Sequence, residues 1–179
     1  MATPRISPAQ VRELLDYDPS TGVFVWKHRG SKWFPGDEHH RKIWNNRFAG
    51  KVAGNNRKDG YTVVVINYVR YTAHRLAWAH VYGEWPKNEI DHIDGDRSNT
   101  RIANLRDVVR RVNQENLKRS RGETKSGLLG VTWDKKKNKW FARIKAGGRA
   151  RFLGYFSDPN KAHEVYLKAK VVLHEGYAP

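Results

Sequence analysis

Apolar residues recur along this chain at two spacings, one typical of helices and one typical of strands. The helical spacing predicts helices at residues 7–16, 74–83 and 159–173. The faces expected to be buried in the second and third helices are Leu76, Ala77, His80 and Val81, and Ala162, Val165, Tyr166, Ala169, Val172 and Leu173. Residues 30–56 have no clear periodicity, so we expect irregular structure there.

β-Branched and aromatic residues mark the predicted strands. In the first part of the chain we expect one strand at 23–27 and a hairpin of strands 61–66 and 69–72, which turns at Asn67 and Tyr68. Further along, turn residues separate three more predicted strands, at 131–133, 140–145 and 151–156.

A polar stretch divides these elements into two groups. Residues 117–126, LKRSRGETKS, have no apolar periodicity, and we interpret them as a linker. We therefore predict an α+β protein with a first domain at 1–116, whose core is 61–116, and a second domain at 127–179. The second domain should be a small three-stranded antiparallel sheet with one helix packed against it.

The charge of the chain indicates its partner. Lys and Arg number 34 against 18 Asp and Glu, a formal net charge of +16, and residues 117–179 hold 15 of the basic residues against 5 acidic ones. Such charge attracts phosphate-rich polymers, so nucleic acid is the expected partner, and no obligate protein partner is evident.

Other partners and compartments are not indicated by the sequence. No apolar run approaches the ~18 residues of a membrane-spanning helix, so we expect no membrane partner. The opening MATPRISPAQ lacks the apolar core of a signal peptide, and the chain has no Cys, which favours a reducing cytoplasm.

Residues 90–116, IDHIDGDRSNTRIANLRDVVRRVNQEN, hold the residue types of a one-metal nuclease. Phosphodiester hydrolysis needs a base that activates water and a cation that neutralises the developing charge. Imidazole can be the base near pH 7, and a hard divalent cation needs little more than one carboxylate and one amide oxygen when phosphate supplies further ligands. Because side chains alternate along a strand, Asp91 and His92 should lie at a strand end or a bulge.

This segment resembles the HNH endonuclease family, in the phage and intron-homing branch where the last His is Asn. The resemblance implies a ββα-metal unit with strands near 89–93 and 105–107 and a helix at about 109–118. The preceding His74-Arg75-Leu76 also matches this branch. His74 either contacts phosphate or packs beneath the hairpin.

The family resemblance also implies roles for individual residues. His92 would be the general base, and Asn104 would hold the hairpin loop and orient His92. Asp91 and Asn113 would bind one divalent ion, Mg²⁺ or else Mn²⁺. Asn116 lies on a similar face of the predicted helix and is the alternative ligand.

The C-terminal domain resembles the Apetala/ethylene-response-factor DNA-binding domain. The residues that carry this resemblance are 130–133, 139–144 and 152–156, with Ala162 and Tyr166. It implies a sheet in the major groove of DNA, with contacts from Trp133, Arg143, Lys145, Arg149 and Arg151. Leu129 and Phe152 depart from the family pattern, so base preference does not transfer. The alternative for Trp140, Phe152 and Phe156 is a place in the core.

These patterns together predict a metal-dependent, site-preferring endonuclease of the phage or homing type that acts on double-stranded DNA. One active centre in a monomer would nick one strand, leaving 5′-phosphate and 3′-hydroxyl ends. If the chain is phage-encoded, it would work in the cytoplasm of a bacterial host. The first alternative is a non-catalytic DNA-binding protein or repressor, and the second is an RNA-binding protein.

Overall fold

The computed structural model describes residues 6–118 and 125–179 and has a mixed α/β structure with small antiparallel sheets. The chain divides into two compact units, one ending at Asp107 and the other beginning at Val108. Six residues of the predicted linker, 119–124, lie outside the described residues. The predicted domain boundaries stay a prediction.

The first unit joins an N-terminal helix to three small sheets. Its elements are α1 (Pro8–Leu14), β1 (Leu15–Tyr17), β2 (Phe24–Trp26), α2 (Glu38–Phe48), β3 (Asn55–Asn56), β4 (Thr62–Ile66), β5 (Val69–Thr72), α3 (Ala73–Tyr82), β6 (Glu89–His92) and β7 (Leu105–Val108). Strand β1 pairs with β2, β4 lies between β3 and β5, and β6 pairs with β7. One continuous core fills the unit, with Val11, Leu14, Leu15, Val64, Ile66 and Leu76 fully buried.

The predicted first helix is confirmed as α1, and its start is fixed by a reciprocal cap. Ser7 Oγ accepts a hydrogen bond from the Gln10 backbone N–H at 3.2 Å, and Gln10 Oε1 accepts one from the Ser7 N–H at 2.8 Å. Pro8 occupies the first helical position, where its missing N–H costs nothing.

The predicted hairpin is confirmed as β4 and β5. The strands pair from Val63 with Thr72 to Ile66 with Val69. Both turn residues, Asn67 and Tyr68, have positive φ (48° and 63°), the type of two-residue turn that matches the twist of paired strands.

The prediction of irregular structure at 30–56 is wrong for α2. This helix is held by polar and aromatic contacts instead of an aliphatic stripe, so it left no periodic signal. The buried Asn45 amide bonds both backbone groups of Arg29, at 2.8 and 3.0 Å. The Arg29 guanidinium in turn lies over Trp44 and Trp26, 3.9 and 4.9 Å from the ring centroids.

Helix α3 agrees with the prediction in extent and only partly in burial. It ends at Gly83, which takes the left-handed conformation. Leu76 and Ala77 are fully buried as expected, whereas His80 is half-buried and Val81 is exposed. Val81 faces solvent because the helix packs along the stripe that contains Ala73, Leu76, Ala77 and Ala79.

The second unit contains α4 (Arg110–Glu115), β8 (Val131–Asp134), β9 (Lys139–Ala146), β10 (Arg149–Phe156) and α5 (Pro159–Leu173). The three strands form an antiparallel sheet with β9 in the centre. Helix α5 packs on one face of this sheet, over Val131, Ala142 and Ile144. The predicted sheet with one helix is therefore present.

The burial predicted for the end of α5 is wrong at Val172, which is 81% exposed. Lys170 is buried there instead. Its ammonium group donates a hydrogen bond to the Leu117 carbonyl and lies 4.3 Å from the centroid of the Tyr177 ring. These partners are distant in the sequence, so helical periodicity did not reveal them.

Residues 175–178 bind helix α4 and the residue after it. Glu115 Oε2 accepts a hydrogen bond from the Gly176 N–H at 3.1 Å, and Asn116 Oδ1 accepts one from the Ala178 N–H at 3.2 Å. A Cβ atom at Gly176 would lie 2.1 Å from the Val112 carbonyl oxygen. The buried Glu115 and Asn116 therefore obtain partners from the end of the chain.

Candidate active site

Asp91 and His92 are the last two residues of β6, as the sequence predicted. Both are buried, each with 5% of its surface exposed. The strand end is pinned to the return strand by a hydrogen bond from the Ile93 N–H to the Asn104 carbonyl, 2.9 Å long.

Asn104 closes the loop between the two strands. Its side-chain Nδ2 donates to Asp94 Oδ1 and to the Asn99 carbonyl, both at 3.0 Å, and its Oδ1 accepts from the Asp94 N–H at 3.1 Å. Asn99 Nδ2 donates to the other Asp94 oxygen at 2.6 Å. One side-chain amide therefore fixes the loop that begins at Asp94, two residues after His92. The family resemblance implies this role for Asn104.

Two aromatic rings lie beside His92. The His74 ring meets it edge to face with centroids 5.0 Å apart, and the Tyr61 ring lies 6.0 Å away. His74 is itself buried, and its Nε2 lies 3.2 Å from Thr72 Oγ1, within hydrogen-bond distance. Of the two possibilities left by the sequence, this geometry supports packing of His74 beneath the hairpin.

Burial controls the protonation of both histidines. It lowers the pKa of His92, although the carboxylates of Asp91, Asp94 and Asp96 act in the opposite direction. Burial also lowers the pKa of His74, to about 3, with smaller contributions from His92 and Arg75. Both rings are therefore neutral near pH 7, which is the state that a general base requires.

Arg106, on β7, binds the carboxylate of Asp91. Its Nε and Nη2 donate to Asp91 Oδ2 at 2.9 and 2.7 Å. The guanidinium balances a carboxylate that would otherwise be costly to bury. Sequence analysis missed this contact because it depends on how β6 and β7 face each other, although Arg106 follows Asn104 by only two residues.

Residues 17–22, at the end of β1 and in the turn towards β2, contact the far end of the same loop. Tyr17 Oη donates to the Thr100 carbonyl at 2.7 Å, and Thr100 Oγ1 donates to the Gly22 carbonyl at 2.8 Å. Gly22 has φ of 77°, and a Cβ atom there would lie 2.7 Å from the Arg101 nitrogen. Residues 17–22 thus hold the loop in place, a contact that nothing in the sequence pattern indicated.

Comparison with known proteins agrees with this geometry. Residues 71–115 match the model of an HNH endonuclease family. The HNH match contains His74, Asp91, His92, Asn104 and Asn113. It ends at residue 115, so the Apetala/ethylene-response-factor resemblance stays a prediction.

A curated relative comes from a bacteriophage. The chain is 36% identical to Protein 3.8 of Escherichia phage T7 over 77 residues, which are 42% of this chain and 63% of the phage protein. The aligned part therefore spans somewhat less than two thirds of that relative. No solved structure matches this chain.

The metal ligands implied by the HNH resemblance lie in different units. Asp91 is the penultimate residue of β6 in the first unit, and Asn113 lies half-buried on α4 in the second. Carboxylate and amide oxygens are donors that a hard divalent ion accepts. Within residues 6–118 and 125–179, no three His, Asp or Glu side chains gather as a metal site. Asn116 is buried, and its Oδ1 accepts a hydrogen bond from the Ala178 N–H. The choice of Asn113 over Asn116 as the ligand stays a prediction.

The sheet of the second unit separates the predicted DNA contacts between its two faces. Arg143 and Lys145 alternate along β9 with the buried Ala142, Ile144 and Ala146, so they project from the face opposite α5. Paired residues in antiparallel strands share a face. The other three contacts pair with residues of the α5 face: Arg149 with Ala146, Arg151 with Ile144, and Trp133 with Trp140. Trp140 and Phe156 pack against the core, whereas Phe152 does not.

A membrane-spanning segment is not found in the part of the chain that the structure describes, because none of its helices has the necessary length and apolar character.

Proposed function

We propose that this protein is a metal-dependent endonuclease that cleaves a phosphodiester of double-stranded DNA, with His92 as the general base. The observation that carries the proposal is the buried position of His92 at the end of β6, beside Asp91, inside the HNH match. Burial there lowers the pKa of His92. A neutral imidazole at this position can take the proton of an attacking water molecule near pH 7.

Asn104 is proposed as a positioning residue. Its three hydrogen bonds to the loop after His92 support this role. The loop starts at Asp94, two residues after His92. Without the Asn104 bonds the loop would move, and the strand end that carries His92 would be held less firmly.

Asp91 and Asn113 are proposed to hold one Mg²⁺ ion, with Mn²⁺ as the alternative. When bound, the ion supplies positive charge to the phosphate and the leaving 3′-oxygen. The expected products are 5′-phosphate and 3′-hydroxyl ends, and one active centre per monomer would produce a nick. The similarity to a phage protein supports an enzyme of the phage type.

The second unit is proposed to bind DNA through its basic side chains. The proposed contacts are Trp133, Arg143, Lys145, Arg149 and Arg151. All but Trp133 are exposed, which supports contact with phosphates.

Plasmid cleavage tests the nuclease proposal. Supercoiled plasmid and phage genomic DNA are incubated with protein in Mg²⁺ or in EDTA. Gels then measure the conversion of the plasmid to open circles and the fragmentation of the phage DNA. We expect Mg²⁺-dependent nicking that falls about 10²- to 10⁴-fold in His92→Ala while DNA affinity in gel shifts is unchanged. His39→Ala, at an exposed histidine of α2, is the matched control and should cut normally. Normal cutting by His92→Ala would rule out the assigned base.

One observation favours a non-catalytic DNA-binding protein. Arg106 already balances the charge of Asp91, so the HNH unit needs no cation to be stable there. Gel-shift affinity for phage DNA without any nicking in Mg²⁺ or Mn²⁺ would support this second candidate.

A further inference from the structure

The face of the C-terminal sheet opposite α5 carries aromatic side chains as well as cations. Phe141 lies on this face because it alternates with Trp140 and Ala142 along β9. Tyr155 pairs with Phe141, and Phe152 pairs with Arg143, so both rings share that face. Three rings from two neighbouring strands therefore project on the side of the sheet that α5 does not cover.

These rings form one contiguous patch. The ring centroids of Phe152 and Tyr155 are 5.0 Å apart, those of Phe141 and Tyr155 are 6.1 Å apart, and those of Phe141 and Phe152 are 6.5 Å apart. Phe152 is 60% exposed and Tyr155 is 37% exposed. None of the three rings is part of the described core of this unit. Phe141 is half-buried. A contiguous cluster of rings, two of them exposed, on a small domain indicates a binding surface.

Cations border the patch. Lys137 Nζ lies 4.8 Å from the Tyr155 ring centroid, and the Arg143 guanidinium lies 6.0 Å from that of Phe141. Lys145 follows Arg143 on the same face. Asp134 accepts a hydrogen bond from the Tyr155 hydroxyl at 3.0 Å. Positive charge beside exposed rings complements phosphate and base together.

We propose that this face binds single-stranded nucleic acid, with Phe141, Phe152 and Tyr155 stacking on bases while Arg143 and Lys145 contact phosphates. The flat faces of bases in a duplex are covered by their neighbours, and only base edges reach the grooves. Rings stack on unpaired bases without the cost of unstacking a duplex, and each such stack contributes about 1–3 kcal/mol. This binding is independent of His92 and of any metal.

Fluorescence anisotropy of labelled oligonucleotides tests the proposal in EDTA, where the nuclease hypothesis has no influence. The probes are a 20-mer of dT, a 20-mer of U and a blunt 20-base-pair duplex. We expect Phe152→Ala to weaken binding of the unpaired probes about 5- to 150-fold, the equivalent of the stacking of one base, and to change duplex binding much less. An equal loss of affinity for the dT and U probes indicates that the face binds unpaired DNA and RNA alike. A larger loss for one probe identifies DNA or RNA as the preferred strand.

Matched variants separate stacking from charge and from misfolding. Phe152→Trp keeps a ring and should retain affinity for dT. Tyr68→Ala removes a fully exposed ring at the β4–β5 turn and should bind dT as the unaltered protein does. Arg143→Ala should weaken dT binding more than Arg151→Ala, which alters the α5 face. The proposal is overturned if Phe152→Ala binds dT normally, or if it loses duplex and dT affinity equally.

Discussion

Acidification should destabilise the first unit through His74. The pKa of this buried ring is lowered to about 3, with burial as the main cause, whereas in the unfolded chain it has its ordinary value of 6.5. Between these two values the unfolded chain binds a proton that the folded unit does not. The stabilisation is therefore complete above about pH 6.5 and is lost as the pH falls. At pH 5, 1.5 units below the unfolded value, the loss is about 2 kcal/mol at 1.36 kcal/mol per unit.

Urea unfolding followed by tryptophan fluorescence measures this loss. Five of the seven Trp residues lie in the first unit, so replacing Trp133 and Trp140 by Phe makes the signal specific for it. The free energy of unfolding at pH 7.5 and at pH 5 is compared with that of His74→Phe in the same background. His74→Phe keeps an aromatic ring and cannot titrate, so its decline on acidification should be smaller by about 2 kcal/mol.

The quantity compared is the change in the free energy of unfolding between pH 7.5 and pH 5 within each variant. The constant cost of the substitution cancels in this change. His39→Phe, at an exposed position of α2, should decline as the unaltered protein does. If His74→Phe loses as much stability on acidification as the unaltered protein, His74 is not the buried neutral group described here.

Three further outcomes are expected. Gly22→Ala should lower the free energy of unfolding, measured in urea, by more than about 2 kcal/mol. Residue 22 has a positive φ, and its new Cβ would meet the backbone of Thr100. An unchanged urea midpoint would contradict the close contact between residues 22 and 100. Asn45→Ala should cost about 2–4 kcal/mol in thermal melts, since it leaves both backbone groups of Arg29 without the amide; a shift of less than a degree would contradict this. The kcat/KM for nicking, which reports groups of the free protein, should rise with pH along a limb centred below pH 6.5, because burial lowers the pKa of His92; a midpoint above 6.5 would contradict the lowered pKa.

The local elements of this fold were predictable because their causes lie in adjacent residues. The cap at Ser7, the turn at Asn67 and Tyr68, and the stop at Gly83 each depend on a few neighbouring residues. The end of β6 at His92 was also predictable, since alternation cannot place two adjacent side chains on one face of a regular strand.

The contacts that were missed join residues far apart in the sequence. Asn45 and Trp44 hold α2 through Arg29, so this helix needs few apolar residues. Arg106 meets Asp91 only because the two strands pair. The register of β9 and β10 places Arg149 and Arg151 on the α5 face of the sheet. The family resemblance was applied strand by strand and did not predict this register.

The bonds from residues 175–178 to α4 limit how this chain can be dissected or recombined. The HNH match ends within the second unit, on a helix whose buried Glu115 receives the Gly176 N–H. A fragment cut after residue 116 would keep Asn113 but lose that partner and the one for Asn116. Residues 127–179 therefore cannot be exchanged as a separate block. A chimaera that replaces them must supply other hydrogen-bond donors for Glu115 and Asn116.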